Sequence, residues 1–330
     1  MMKETADKPE QSRKEHCGME QQGVKSVLVY GATGAQVSPV ARRLLEDGFG
    51  VRVLTRDLGS PGAQGLREAG AEVVVGDMRD AGSLGAASEG MDGVFLLVPF
   101  LLKDPDDFAL FGRNAIVAAK EARVRLLVWN PTGEIPPART GLPAIDGRIE
   151  VLESLQSSGV PHVVLQPTVY MENYLGPWTA PEVAEKGVFT YPIPIELKMQ
   201  WITHEDAAAF AVEALKRPEV ADTNLRVCGP ERLSGEEIAK RFGHALGHKI
   251  SFRSMPPRQF GAHMDAAFGP GVGDGAVAAY EAAFQDPGMF STDIDLSVAL
   301  ERLPIRPTPL EEWVRQHAAA FTARTGALSA

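Results

Sequence analysis

From Val24 onward, short aliphatic runs alternate with amphipathic stretches. Ser26–Tyr30 reads Ser-Val-Leu-Val-Tyr and lacks the polar alternation of a half-exposed strand. Such a run suits a strand covered on both faces. Val51–Leu54, Glu72–Val75, Gly93–Val98, Leu126–Trp129 and His162–Leu165 repeat the type. Between them, Val37–Asp47, Gly62–Ala69, Ala81–Ser88, Asp106–Ala122 and Ile145–Ser157 carry apolar residues at helical spacing. Six strands separated by five helices predict an α/β fold with a doubly wound parallel sheet, because parallel neighbours need crossover helices.

After Pro167 the rhythm changes. Pro177, Pro181, Pro192 and Pro194 cut the chain into loops and short pieces. Thr203 is placed to cap a helix over Glu205–Lys216. Ser234 followed by Glu237 is a capping-box signature for a helix over Gly235–Leu246. Asp274–Phe284 and Pro309–Phe321 read as two further helices. The expected organisation is therefore a sheet domain over residues 24–167 and a smaller helix-rich domain over 168–330, which folds over the C-terminal edge of the sheet and shares a cleft with it.

Composition narrows the function classes. Of the 330 residues, 44% are hydrophobic and 23% charged, enough apolar material for a large core. A formal net charge of -10 disfavours a nucleic-acid partner. No stretch approaches 18 consecutive apolar residues, which argues against a membrane span. Two cysteines, Cys17 and Cys228, are too few for a disulfide scaffold or a four-thiolate zinc site, and a cytoplasmic location is expected. Residues 1–23 mix acids and bases with almost no large apolar side chain, so a disordered tail is expected there, with Met19 as an alternative start.

The chemistry concentrates at strand ends. Gly31-Ala-Thr33-Gly34-Ala35-Gln36 joins the first strand to the first helix. Such a loop offers backbone N–H groups and a positive helix end to a pyrophosphate. Arg56 lies 25 residues after Gly31, just past the second strand, where adenosine ribose is read. An arginine there suits a 2′-phosphate, so NADP(H) is the preferred cofactor; the adjacent Asp57 keeps NAD(H) open. Asp77 and Met78, after the third strand, are candidates for adenine contacts, and Asp77 is equally placed to cap the next helix. Val98 and Pro99 end the fourth strand on the path to a nicotinamide, with Phe100 and Trp178 as a candidate apolar lid or core.

Taken together, Gly31-Ala-Thr-Gly34-Ala-Gln, Leu54-Thr-Arg56-Asp57, Gly76-Asp77-Met78, Asp146-Gly-Arg-Ile-Glu150, Ser158-Gly-Val-Pro161 and Gln166-Pro-Thr-Val-Tyr-Met-Glu-Asn173 resemble the NmrA-like family of atypical short-chain dehydrogenases/reductases. The resemblance spans residues 24–317 and implies a Rossmann-type domain with a small C-terminal domain. It implies either an NAD(P)H-dependent reductase of quinones or other small electrophiles, or a non-catalytic regulator that senses NADP redox state through a protein partner. Two departures stand out. Val37 occupies the place of the loop's third glycine, which predicts a first helix set slightly farther out. The Tyr-x-x-x-Lys pair of ordinary short-chain dehydrogenases is absent, and no lysine lies between Lys120 and Lys186.

Arg148 stands where many family members carry a lysine. It can hold a ribose, but it cannot readily give up a proton. A quinone or enone needs less help from an enzymic acid, which favours that substrate class. The bland alternative for Arg148 is a helix-surface salt bridge with Asp146 or Glu150. Asn130 and Thr132, after the fifth strand, are candidates for substrate or ribose contacts, or for shaping the turn before Gly133. Tyr170, after the sixth strand, is a candidate hydrogen-bond donor to a substrate carbonyl and equally a candidate for packing in the cleft. His244 and His248 have helical i, i+4 spacing but no evident third ligand, so no metal is expected. Glu182 and Glu185 read as the solvated face of a short helix.

Overall fold

A computed structural model describes residues 23–99, 102, 104–287 and 293–322. The expectations for the N-terminal tail, for Met19 and for Phe100 lie outside the described residues, apart from Gly23 at the end of the tail.

The first part of the chain runs β1 (Ser26–Tyr30), α1 (Ser38–Glu46), β2 (Gly50–Thr55), α2 (Pro61–Glu68), β3 (Glu72–Val75), α3 (Ala81–Ser88), β4 (Gly93–Leu97), α4 (Asp107–Glu121), β5 (Leu126–Asn130), α5 (Pro143–Ser158) and β6 (His162–Pro167). The second part adds β7 (Val169–Tyr170), α6 (Ala180–Lys186), β8 (Val188–Tyr191), β9 (Met199–Ile202), α7 (His204–Lys216) and β10 (Thr223–Val227). It continues through β11 (Arg232–Leu233), α8 (Gly235–Leu246), β12 (Ser251–Ser254), α9 (Pro257–Phe268), α10 (Asp274–Gln285), α11 (Leu296–Arg302) and α12 (Leu310–Gln316).

Seven parallel strands form the main sheet in the order β10-β6-β5-β4-β1-β2-β3. The seventh strand, β10, is an addition to the six expected. Strand periodicity divides each run between two faces. Val27 and Val29 join Val53, Phe95 and Val128 under α1, α7 and α11. Leu28 and Tyr30 join Leu96, Leu127 and Trp129 under α4 and α5. Burial on both sides explains why β1, β4 and β5 carry almost no polar side chain.

A second core lies outside this sheet. Tyr174, Phe189, Tyr191, Trp201, Phe242 and Trp313 are fully buried in it, with ring centroids mostly 5–6 Å apart. Two small sheets, β11-β9-β7 and β12-β8, frame it. The two cores interleave along the chain. After β9 the chain returns to the large sheet through α7 and β10, then leaves it again through α8.

The strand order reverses at β1, between β2 and β4. A crevice opens at such a switch point, outside the carboxyl ends of the strands, where α/β sheets place their ligands. Gly31 follows β1 there, directly beside Leu97 at the end of β4.

Candidate functional site

Two groups of residues meet the C-terminal ends of the strands, and their surroundings differ sharply. The first lies around the β1–α1 loop. Gly31 has φ +78°, a conformation that L side chains rarely adopt, and its N-terminal position on the loop sets the turn. A Cβ on Gly34 would stand 3.3 Å from the Gly31 carbonyl oxygen, which accepts the Gly34 N–H at 3.0 Å. Thr33, Gly34 and Ala35 are exposed, and Gln36 is half-buried. Val37, where a third glycine was missing, is buried at the α1 N-cap and reaches toward Gly31. The α1 side chains Val40, Ala41 and Leu44 are nonetheless buried against the sheet.

Arg56 is exposed and forms no ion pair among the described residues. Its neighbour Asp57 is engaged: Oδ1 accepts the Gly59 N–H at 2.8 Å within the turn that leads to α2. That turn lies against the glycine loop, since a Cβ on Gly62 would meet the Thr33 carbonyl oxygen at 2.9 Å. The expectation that Asp77 caps α3 is corrected. Asp80 is the N-cap and accepts the Gly82 N–H, while Asp77 Oδ1 accepts the Arg79 N–H two residues on. Met78 is half-buried against the core, Val98 is buried and Pro99 is exposed.

An anionic dinucleotide fits this chain on three observations. The glycine loop is open at the switch point. It feeds the N-terminus of α1. The one cation beyond β2 has no internal partner among the described residues, while the adjacent acid has one.

The second group is buried. Asn130, at the end of β5, accepts the Thr132 N–H on Oδ1 at 2.8 Å and donates from Nδ2 to the Tyr170 hydroxyl at 3.0 Å. Asn130 therefore shapes the turn and also reaches Tyr170. Thr132 takes φ 61° in that turn, and its hydroxyl donates to the Pro131 carbonyl. Burial pushes the Tyr170 phenol well above its ordinary range, so the group keeps its proton. That O–H hydrogen has no acceptor among the described residues.

The salt-bridge alternative for Arg148 is corrected. Asp146 accepts from Thr140 and Gly141, and Glu150 pairs with Arg113 and Arg139. Arg148 is turned inward, only 8% exposed. It donates to the Glu134 carbonyl at 2.9 Å and to the Thr132 carbonyl at 3.4 Å. Its guanidinium lies against Gly133, where a Cβ would come within 3.2 Å of Nη1. Burial draws the guanidinium down to about 10, and Tyr170 opposes that shift. Arg148 thus clamps the loop that carries Asn130 and Thr132.

Beyond Tyr170 lie residues that the sequence reading did not single out. The His204 ring meets Tyr170 edge-on, with centroids 4.7 Å apart. His204 is the first residue of α7, and Glu172 Oε1 accepts its backbone N–H at 3.0 Å. Trp313 Nε1 donates to the same oxygen at 3.4 Å, and the Trp313 ring stacks on His317. Burial raises the Glu172 carboxyl and lowers the His204 imidazole to about 4. These side chains wall a cavity of about 210 Å³ whose other wall includes Ala35 and Pro39. The cavity therefore borders the glycine loop. Glu172 sits inside the Met-Glu-Asn segment quoted above, so the signal was present without a role attached.

A larger cavity, about 600 Å³, runs along α8 and β12 and is lined by residues 236–252, including His244 and His248. None of the expected cofactor residues borders it, whereas Ala35 of the glycine loop borders the smaller one. His244 bonds Glu311 and His248 bonds the Leu246 carbonyl, and no group of three potential metal ligands occurs among the described residues. Trp178 is packed against Phe260 in the second core. Glu182 on α6 bonds Lys186 of the same helix and Arg253 of β12.

Comparison with known proteins adds context. The NmrA-like family matches residues 23–314. An NAD(P)H azoreductase from Xenophilus azovorans is 31% identical over 301 residues, covering 90% of this chain and 99% of its own. A (4-alkanoyl-5-oxo-2,5-dihydrofuran-3-yl)methyl phosphate reductase from Streptomyces griseus is 30% identical over 297 residues, covering 89% and 99%. Among solved structures, an NADPH-dependent quinone oxidoreductase of Escherichia coli complexed with NADPH superposes with a TM-score of 0.72. It is 23% identical and covers 88% of this chain and 99% of its own. Among the described residues no helix is long and apolar enough to cross a membrane.

Proposed function

The chain belongs to the NmrA-like family, and on that premise we propose that it is an NAD(P)H-dependent oxidoreductase that prefers NADPH and reduces a small apolar electrophile such as a quinone or enone. Two relatives, 31% and 30% identical along nearly the whole chain, carry the names of NAD(P)H azoreductase and of (4-alkanoyl-5-oxo-2,5-dihydrofuran-3-yl)methyl phosphate reductase. The single observation that carries the reading is a juxtaposition. The open glycine loop at the β1/β4 crevice and the buried Asn130–Tyr170 pair stand at the same end of one sheet.

Gly31, Thr33, Gly34, Ala35 and Gln36 would cradle the pyrophosphate, the Gly34 N–H itself being held by the Gly31 carbonyl. Arg56 would take the 2′-phosphate, with Asp57 occupied by its own turn. Asp77 and Met78 would meet the adenine, and Val98 and Pro99 would flank the nicotinamide. Bound NAD(P)H supplies a hydride. Tyr170 donates its unaccepted O–H to the oxygen or nitrogen on which negative charge develops. Arg148 keeps the β5–α5 loop in register for that contact through its bonds to the Glu134 and Thr132 carbonyls. Tyr170 itself is buried, which shields its hydroxyl from bulk water, while His204 opens onto the small cavity.

The test combines binding and turnover. Calorimetric titration with NADP+ and NADPH under identical salt is expected to give comparable affinities or tighter NADPH. NADPH consumption is expected with part of a quinone and enone panel. Much tighter NADP+ together with no turnover would overturn the reductase reading in favour of a redox sensor.

A further inference from the structure

The Glu172 carboxyl has two unequal oxygens. Oε1 is anchored by the His204 N–H and by Trp313 Nε1. Oε2 is buried without a hydrogen-bond partner and stands 3.7 Å from His204 Nε2. A buried carboxylate oxygen with no donor is costly. Anchoring α7 needs only Oε1, so it leaves Oε2 unexplained. His204 lines the cavity beside the glycine loop, and neither of its ring nitrogens is hydrogen-bonded among the described residues.

We propose that Glu172 and His204 form a proton relay for the reduction, with His204 facing the substrate and Glu172 acting through it as a positioning residue and proton store. The proposal rests on the reductase reading. Two-electron reduction leaves an anion on the substrate, and one proton must follow the hydride. The imidazole gives the proton on one ring nitrogen to that anion. Its other nitrogen takes the proton from Glu172 Oε2. The substrate gains one hydride and one proton, the imidazole stays neutral, and Glu172 is left as carboxylate until solvent restores its proton through the cavity. Both burial shifts agree with these charge states, a carboxyl that holds its proton to higher pH and an imidazole that stays neutral.

The groups facing the pair are Tyr170 from β7, Glu205 beside it on α7 and His317 from α12, with Arg148 behind Tyr170. Tyr170 keeps its proton, and Glu205 is held by Arg43. Burial dominates at Glu172 and outweighs its hydrogen bonds and the neighbouring His317 ring, which favour the ionised form.

Glu172→Gln separates anchoring from proton chemistry, because the amide oxygen can keep both Oε1 contacts while the exchangeable proton is lost. Infrared difference spectra of the free protein, wild type minus Glu172→Gln, are expected to show a protonated-carboxyl band that persists above the usual glutamate range. Turnover with NADPH and a quinone is expected to fall about a hundredfold or more in Glu172→Gln and in His204→Gln, with cofactor Kd retained. The wild-type kcat is expected to decline as pH rises through the Glu172 pKa, and this limb is expected to vanish in Glu172→Gln. Absence of the carboxyl band overturns the relay. Wild-type turnover that both variants keep, with the same pH profile, overturns the relay alone. Absence of wild-type turnover overturns the reductase reading and the relay with it.

Discussion

The two sides of the site solve opposite problems. Around the glycine loop, Thr33, Gly34, Ala35, Arg56 and Pro99 are exposed; the Gly34 N–H turns back onto the Gly31 carbonyl, and the Arg56 guanidinium is left for a ligand. Around Tyr170, the polar side chains of Asn130, Arg148, Glu172 and His204 are mostly buried, and the first three are bonded to a neighbouring side chain or to backbone. The outer side spends little folding energy on its polar atoms, so an edit there costs affinity. The inner side has already desolvated its polar atoms, so an edit there costs stability as well.

The strongest way to break this contrast is Arg148→Met. The substitution keeps much of the side-chain volume and removes the donors to the Thr132 and Glu134 carbonyls. Two poorly satisfied carbonyls at about 1–3 kcal/mol each predict a loss of about 2–6 kcal/mol in denaturant unfolding, with turnover lost as the loop relaxes. An unchanged unfolding midpoint would place Arg148 with the outer group. On the outer side, Arg56→Ala is expected to weaken NADP(H) by about 1.5–3 kcal/mol, roughly tenfold or more, while NAD(H) and the unfolding midpoint barely move. Equal weakening of both cofactors would remove the 2′-phosphate role from Arg56.

What the sequence made legible follows the same division. The bounds of β1–β6 and α1–α5 lie within two residues of the expected ones, because continuous aliphatic runs and helical spacing are local signals. The glycine loop and Arg56 were legible for the same reason. The strand β10 was not, because Thr-Asn-Leu-Arg-Val lies at the sheet edge with Asn224 and Arg226 exposed, and so lacks a buried strand's continuous run. Strands β7 and β11 span two residues each, too short for any period. The direction of Arg148 was also hidden. Asp146 and Glu150 are its natural helix-surface partners, and only the fold shows both engaged elsewhere. The pairing of Glu172 with His204 spans 32 residues, and that of Asn130 with Tyr170 spans 40. No spacing rule carries such contacts.

Acid sharpens the contrast next. In the unfolded chain His204 titrates near the ordinary 6.5, while burial pulls it to about 4 in the folded protein. Between those values the unfolded chain holds the extra proton. Stability is therefore full above about pH 6.5 and declines as pH falls toward 4. After discounting for partial exposure, the loss is about 2 kcal/mol. His204→Gln removes this contribution, so the difference between variant and wild type in unfolding free energy should change across that window. A constant difference would mean that the imidazole is as well solvated as the outer arginine.

The smallest edit is Tyr170→Phe. It keeps the edge-on contact with His204 and deletes one hydroxyl. Asn130 Nδ2 then loses its partner at a site only 6% exposed. One net hydrogen bond predicts a loss of about 1 kcal/mol, visible as a modest drop in the unfolding midpoint. If the hydroxyl also donates to the substrate, kcat falls with cofactor Kd unchanged, and the fall exceeds what the stability change explains, since partly unfolded protein at this cost is negligible. If the hydroxyl only braces Asn130, the stability loss appears without a change in kcat. The first result makes Tyr170 the point where the buried network meets the reaction. The second leaves that role to His204 and limits the tyrosine to holding the end of β5.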